Sequence, residues 1–343
     1  IYLFGDGKAT LVAASASNEV GFYDYPLKAV ARLGKLYVAD YSNHRVAIVD
    51  KTDEGTVTEY LNVPFPRSVA VASDGTVYVA SNKNVVKFAD GSNETVYTAT
   101  ARVTDLFLSS DDELYCVAGK NLYSVKSGET LAENVDGGTV YSDGTVAVYS
   151  GAEIKKIDGT AVVTLLQSIK SLAADNDGNL YALTEFEGAS RLYKIIGNAA
   201  ELKKSDLPLG AASVYVSRSS SPIGSFGDVV IADKTANTIL AVSAEDAGVS
   251  PVPSAPEASD FDDDRIFRFA STDAVLYNSM DEADVAATLK KDERVIVLKY
   301  DFGYGYAYCA VENEREELIY GYAFRSTLTE PLAYVEPAGA YCV

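Results

Sequence analysis

The sequence predicts an all-β chain: a ring of four-stranded sheets followed by a small barrel. Three observations carry this. A Leu-Tyr-Val-Ala-like strand recurs along roughly the first 240 residues. Asp-Gly pairs stand just before several of its copies. Helical periodicity is nearly absent before residue 280, where Val, Tyr, Thr and Ile dominate the apolar runs.

The recurring strand reads Leu36-Tyr37-Val38-Ala39-Asp40, Val77-Tyr78-Val79-Ala80-Ser81 and Leu114-Tyr115-Cys116-Val117-Ala118. It continues as Val146-Ala147-Val148-Tyr149-Ser150, Leu180-Tyr181-Ala182-Leu183-Thr184 and Val229-Val230-Ile231-Ala232-Asp233. The spacings are 41, 37, 32, 34 and 49 residues, about 39 on average, the length of a four-stranded propeller blade. Six copies predict a six-bladed β-propeller over 1–246. A single blade cannot cover both its faces, so a closed ring is the stable arrangement. Asp74-Gly75, Asp143-Gly144 and Asp177-Gly178 are expected to form tight primed turns, because Gly accepts positive φ. The sixth repeat offers three strands, Ala212–Ser217, Asp228–Asp233 and Thr238–Ser243. The segment Ala9–Ala13 is expected to supply its missing outer strand and close the ring.

These residues carry a family resemblance. Tyr25-Pro26-Leu27-Lys28-Ala29-Val30-Ala31, then Gly34–Asp40, then Asn43-His44-Arg45-Val46 resembles an NHL repeat. Phe65–Val71 with Asp74–Ala80 resembles a second, and Val229–Asp233 with Asn237-Thr238-Ile239 a third. The middle copies lack the Asn-His-Arg segment. The resemblance implies a fold rather than a function, since such propellers bind proteins, RNA or sugars and some are enzymes.

Residues 247–259 hold Pro251, Pro253 and Pro256, three of the ten prolines, and read as a semi-rigid linker. Over 260–343 short strands are expected at Ile266–Phe269, Ala274–Tyr277, Thr288–Leu298, Tyr304–Val311 and Leu318–Phe324. Their order resembles a bacterial SH3-like domain with a C-terminal tail, although Asp292 stands where Gly is usual and Tyr306 or Tyr308 where Trp is usual. This second resemblance implies a bacterial cell-surface or secreted protein whose barrel recognises cell-wall glycan or peptide. The chain starts at Ile1, which fits either a removed leader or a trimmed fragment.

Charge narrows the partners. The chain holds 49 Asp+Glu and 29 Lys+Arg, a formal net charge of −20. Residues 1–259 carry −11 and 260–343 carry −9. Neither part is basic, so a nucleic-acid partner is not expected. No apolar run approaches the 18 residues or so of a membrane span, so no membrane insertion is expected.

One His, His44, excludes a His-rich metal site and most multi-imidazole chemistry; its place in a repeat turn gives it a structural role. Asp40 and Asp233 end equivalent strands and are read as partners of Arg45 and Lys234 or as turn caps. Asp175-Asn176-Asp177-Gly178-Asn179 suggests a calcium loop but has Phe186 where the distal Glu belongs, so a hairpin turn is expected. Ser219, Ser220 and Ser221 lie in an insertion, Ser217–Gly227, that has no nucleophile elbow but is long enough to be a binding loop. Cys309 and Cys342 could form a disulfide or remain thiols; Cys116 reads as core.

The tyrosines, 24 in all, carry the contact candidates. Tyr304, Tyr306 and Tyr308 share one face of a strand by period two, with Tyr322 nearby. They suit a sugar or peptide, or else fill a barrel core that lacks Trp. Tyr25 and Phe65 precede Pro in equivalent repeats and read as structural, leaving Tyr23 and Tyr41 as the freer residues at one propeller end. Arg67 and Arg102 start innermost strands and are expected to reach the axial channel. The leading function is non-catalytic binding of a protein, peptide or carbohydrate, including cell-wall components, with no cofactor. The alternative is a lactonase, lyase or glycosidase using calcium held by carboxylates in the channel.

Overall fold

The computed structural model describes residues 2–5, 8–11, 23–52, 55–163, 166, 168–249, 255–262, 266–303, 305–313, 315 and 317–329. The chain divides into two compact units. One is Ile1–Pro253 together with Met280–Asp284; the other is Ser254–Ser279 with Val285–Val343.

The first unit opens with a hairpin, β1 (Tyr2–Gly5) and β2 (Lys8–Leu11). Four-stranded antiparallel sheets follow. The first is β3 (Pro26–Arg32), β4 (Lys35–Asp40), β5 (Arg45–Thr52) and β6 (Gly55–Asn62). The second is β7 (Pro66–Val71), β8 (Val77–Ser81), β9 (Asn84–Ala89) and β10 (Ser92–Thr98). The third is β11 (Val103–Leu108), β12 (Leu114–Ala118), β13 (Asn121–Ser124) and β14 (Thr130–Glu133). The fourth is β15 (Gly137–Val140), β16 (Val146–Ser150), β17 (Glu153–Lys156) and β18 (Ala161–Val163). The fifth is β19 (Ile169–Ala174), β20 (Leu180–Phe186), β21 (Ala189–Ile196) and β22 (Ala199–Leu207). A three-stranded sheet, β23 (Ala211–Val216), β24 (Val229–Asp233) and β25 (Thr238–Val242), ends the series, followed by the short helix α1 (Ala244–Ala247).

The first strands β3, β7, β11, β15, β19 and β23 adjoin one another in that order, and β23 adjoins β3. This is a β-propeller. Apolar clusters between successive sheets hold it together. Val230, Ala232 and Ile239 of the last sheet pack on Ala29, Ala31, Leu36 and Val38 of the first, which closes the ring. The recurring Leu-Tyr-Val-Ala segments are the second strands, β4, β8, β12, β16, β20 and β24. A neighbouring sheet covers each face of such a strand, so its apolar run is continuous rather than alternating. Leu36, Val38 and Ala39 are fully buried, and each large aliphatic chain so buried contributes about 2 kcal/mol.

Two details differ from the sequence expectation. The Asp-Gly turns are three-residue loops, not two-residue primed turns. Ala72 N–H donates to Thr76 O, Gly75 N–H donates to Ala72 O, and Gly75 takes φ +84°. The Asp74 carboxylate accepts from Thr76 N–H at 2.8 Å. Glycine supplies a left-handed bulge after a type I turn. The strand beside β25 is β1, whereas Ala9–Leu11 falls in β2 and Val12 and Ala13 lie outside the described residues.

A β-bulge repeats one or two residues into the first strands, between Pro26 and Lys28, Pro66 and Ser68, Val103 and Asp105, Ile169 and Ser171, and Ala211 and Ser213. A bulge re-aims the extra side chain, and Arg67 is one of these extra residues.

The second unit is one antiparallel sheet ordered β26 (Ile266–Phe269), β29 (Arg294–Gly303), β30 (Tyr306–Glu312), β31 (Leu318–Phe324), β27 (Ala274–Tyr277), β28 (Val285–Leu289). Both faces of β30 are covered. Ala307, Cys309 and Val311 join Leu276, Leu289, Val295 and Val297 in an aliphatic core. On its other face, Tyr306 stacks on Phe324 at 4.6 Å and Tyr308 meets Tyr322 edge-on at 5.1 Å.

Candidate functional site

The structure gathers an aromatic cluster where the first strands of the propeller begin. Tyr41, in the β4–β5 turn, lies 5.9 Å from Tyr25 and 5.5 Å from Phe65 between ring centroids, at interplanar angles of 56° and 50°. The three rings form a cluster centred on Tyr41. Tyr25 is 40% exposed and Phe65 42%. Two cations border it: Arg67 lies 5.3 Å from the Tyr41 centroid and Lys234 5.7 Å from that of Tyr25. Among the described residues, no carboxylate lies within ion-pair distance of Arg67 or Lys234.

A repeated backbone device presents these rings. Tyr25 (φ +58°) and Phe65 (φ +51°) are left-handed, as are His44 (φ +57°) and Asn237 (φ +56°) in the turns they face. Phe65 N–H donates to His44 Nδ1 at 3.2 Å; Tyr25 N–H donates to Asn237 Oδ1 at 2.8 Å. Each turn residue thus accepts from the entry residue of the next sheet around the ring. This is the role of the single His, whose ring also meets the Phe65 ring at 4.1 Å. The left-handed region costs a non-glycine residue about 1–2 kcal/mol. Two large, half-exposed aromatic residues are therefore held where glycine would be less strained.

The turn that carries Tyr41 is anchored from below. Asp40 is wholly buried; it accepts from Asp24 N–H at 2.7 Å, Asn43 Nδ2 at 2.9 Å and Arg45 Nε at 2.8 Å. Burial raises its pKa above the ordinary carboxylate value, and the three hydrogen bonds and the Arg45 charge pull the other way. Arg45 in turn covers the face of Tyr60 at 4.2 Å.

The remaining sequence candidates are placed as follows. Tyr23 is 1% exposed and packs between the last sheet and the first; burial pushes its phenol well above the ordinary value. Arg67 does not reach the channel, because the bulge turns it towards Tyr41. Arg102 is exposed and is not among the channel-lining residues. Tyr306, Tyr308 and Tyr322 are buried and present no open face to a ligand. Period two placed Tyr306 and Tyr308 on a common face but could not show that other aromatics cover it. Tyr304 and Cys342 lie outside the described residues. Cys309 is a buried free thiol whose pKa burial pushes to about 12. Among the described residues of this unit the open aromatics are Phe267 and Tyr320, 52% and 47% exposed, neither of them among the contact candidates.

The axial channel encloses about 100 Å³. Its charged lining residues are Lys28, Arg32 and Arg218, and Thr139 adds a hydroxyl. No Asp or Glu lines it among the described residues, and no group of three or more His, Cys, Asp and Glu is placed to hold a metal ion among them. In the loop at Asp175, the carboxylate accepts from the N–H groups of Asp177 and Asn179 and from Asn179 Nδ2, so its oxygens serve the turn itself.

No protein-family model and no curated protein matches this sequence. Solved structures do. A protein of unknown function from Bacteroides thetaiotaomicron is 15% identical, with 64% of this chain and 70% of that chain covered at a TM-score of 0.48. A streptogramin B lyase is 13% identical, with 66% and 85% covered at 0.48. A gluconolactonase from Xanthomonas campestris is 14% identical, with 63% and 86% covered at 0.47.

Proposed function

We propose that this chain is a non-catalytic binding protein whose propeller takes a carbohydrate on the Tyr25, Tyr41 and Phe65 cluster. The observation that supports the reading is the cost at which the rings are presented: half-exposed aromatic side chains at left-handed positions beside two cations with no described counter-charge. Aromatic faces suit the C–H faces of sugar rings, and a phenol hydroxyl adds a hydrogen bond. Arg67 and Lys234 favour a sugar bearing a carboxylate or phosphate. The chain as a whole, at −20, repels such a group, so local cations are required to hold it.

The wider reading is a six-bladed, NHL-like propeller with its N-terminal segment completing the last blade, followed by an SH3-like barrel that recognises cell-wall glycan or peptide. It carries a secreted or cell-surface location with it. The strand order of the second unit and its exposed Phe267 and Tyr320 support the barrel's part. The enzymatic alternative needs carboxylates converging on the channel to hold calcium, whereas the carboxylates that meet its lining residues, Asp105, Asp112 and Glu282, are paired with Lys28, Arg32 and Arg218. A glycan array that includes muropeptides, probed with the full chain, tests the proposal. Retention of acidic saccharides is the expected result. Retention of peptides alone would replace the sugar reading by a peptide one, and no retention of either would reject it.

A further inference from the structure

Independently of the aromatic cluster, the opposite ends of the same first strands hold a second arrangement. β3 runs from Pro26 to Arg32, roughly 20 Å at the usual strand rise. At its far end, within the first unit, lies the segment Met280–Asp284, although the residues on both sides of it in sequence belong to the second unit.

The segment is held as a ligand would be. The Glu282 side chain has no exposed surface; one carboxylate oxygen is 3.3 Å from Arg32 Nε and the other 3.5 Å from Arg218 Nε. Leu33 N–H donates to the same carboxylate at 3.2 Å. Asp281 accepts from Ser220 N–H at 2.9 Å and from Ser220 Oγ at 2.6 Å. The peptide backbone is read too, since Glu282 N–H donates to Arg218 O at 3.5 Å. Arg218 and Ser220 belong to the Ser217–Gly227 insertion, the long loop noted in the sequence. Arg32 and Arg218 also line the axial channel.

Three features set this apart from ordinary packing. No sheet ladder includes residues 280–284, so the propeller's strands pair without them. Two guanidinium groups from segments about 190 residues apart converge on one carboxylate. Adjacent acidic side chains are read by separate donors, which demands a peptide rather than a free anion.

We infer that the Arg32–Arg218–Ser220 cleft is a binding site for an acidic peptide, and that the chain's own Asp281-Glu282 occupies it as an internal ligand. A partner bearing adjacent carboxylates would compete for the cleft, and its entry would displace the segment from that end of the channel.

The test uses the full chain and a fluorescent peptide with the sequence of residues 278–286. The variant Asp281→Asn/Glu282→Gln removes the internal charges and should bind the peptide at least tenfold more tightly than the native chain, by fluorescence anisotropy. A peptide with Gln at the Glu282 position should bind at least tenfold more weakly, and adding Arg218→Gln to the variant should abolish the gain. The milder Asp281→Asn variant, which alters only the internal segment's contact with Ser220 and leaves the cleft residues intact, provides a second opening of the cleft should the double variant not fold. Its expected gain is smaller and in the same direction. If neither variant binds the peptide better than the native chain, or if the Gln peptide binds equally well, the inference is wrong.

Discussion

At Tyr25 and Phe65 the usual ranking of alanine over glycine should invert. At an ordinary exposed position Gly is less stable than Ala by about 0.5–1 kcal/mol, because it loses more backbone freedom on folding. At φ +58° and +51° alanine keeps the left-handed strain of about 1–2 kcal/mol, and glycine does not. The two effects leave Gly ahead by about 0.5–1 kcal/mol at each site. Truncation itself costs little, since both side chains are about two-fifths exposed. Burial of the remaining ring surface contributes about 1 kcal/mol. Tyr25→Gly and Phe65→Gly should therefore lie within about 1 kcal/mol of the parent, and the alanine variants below them. Urea denaturation followed by circular dichroism measures this, with parent, Gly and Ala variants at each site. If Ala equals or exceeds Gly, the backbone is not strained there, and the argument that the rings are held at a cost for binding fails.

Further outcomes are expected. His44→Asn should keep near-parent stability, because Asn237 performs the same acceptor role towards Tyr25, whereas His44→Leu should lose about 1 kcal/mol in the same titration. Gly138→Ala should destabilise by about 1–3 kcal/mol, since its Cβ would fall 2.7 Å from Ala147 O and 2.9 Å from Phe107 Cζ; a thermal midpoint equal to the parent's would refute the close approach. Alkali should unfold the chain through its buried phenols. Burial pushes Tyr37 from 10.0 to about 12, so below pH 10 both states are neutral and its contribution is intact. Between pH 10 and 12 only the unfolded chain ionises, and stability falls by about 1.4 kcal/mol per pH unit from this group. Tyr37→Phe should flatten the measured slope over that window.

The propeller was legible where burial leaves a run that nothing else produces. The second strands are apolar on both faces, so their copies stand out and their spacing counts the sheets. The direction of Arg67 was not legible, because a bulge after Pro66 has no residue signature of its own. Tyr25 and Phe65 read as structural for standing before Pro, and only their φ angles reveal that an aromatic side chain is poorly suited to the site. Tyr306 and Tyr308 share a face by period two, yet exposure depends on Phe302, Tyr322 and Phe324 packing there. The Arg32–Glu282 pair spans 250 positions, a separation no local pattern reports.

The central claim is that the Tyr41 cluster binds an acidic sugar, and titration of one array-positive saccharide by calorimetry tests it most directly. The parent should bind, and Tyr41→Ala and Arg67→Ala should each weaken binding about tenfold or more, the loss expected for about 1.4 kcal/mol of ring or charge contact. The buried Tyr306→Phe should leave the affinity unchanged. Equal affinity for the parent and both cluster variants would contradict the account.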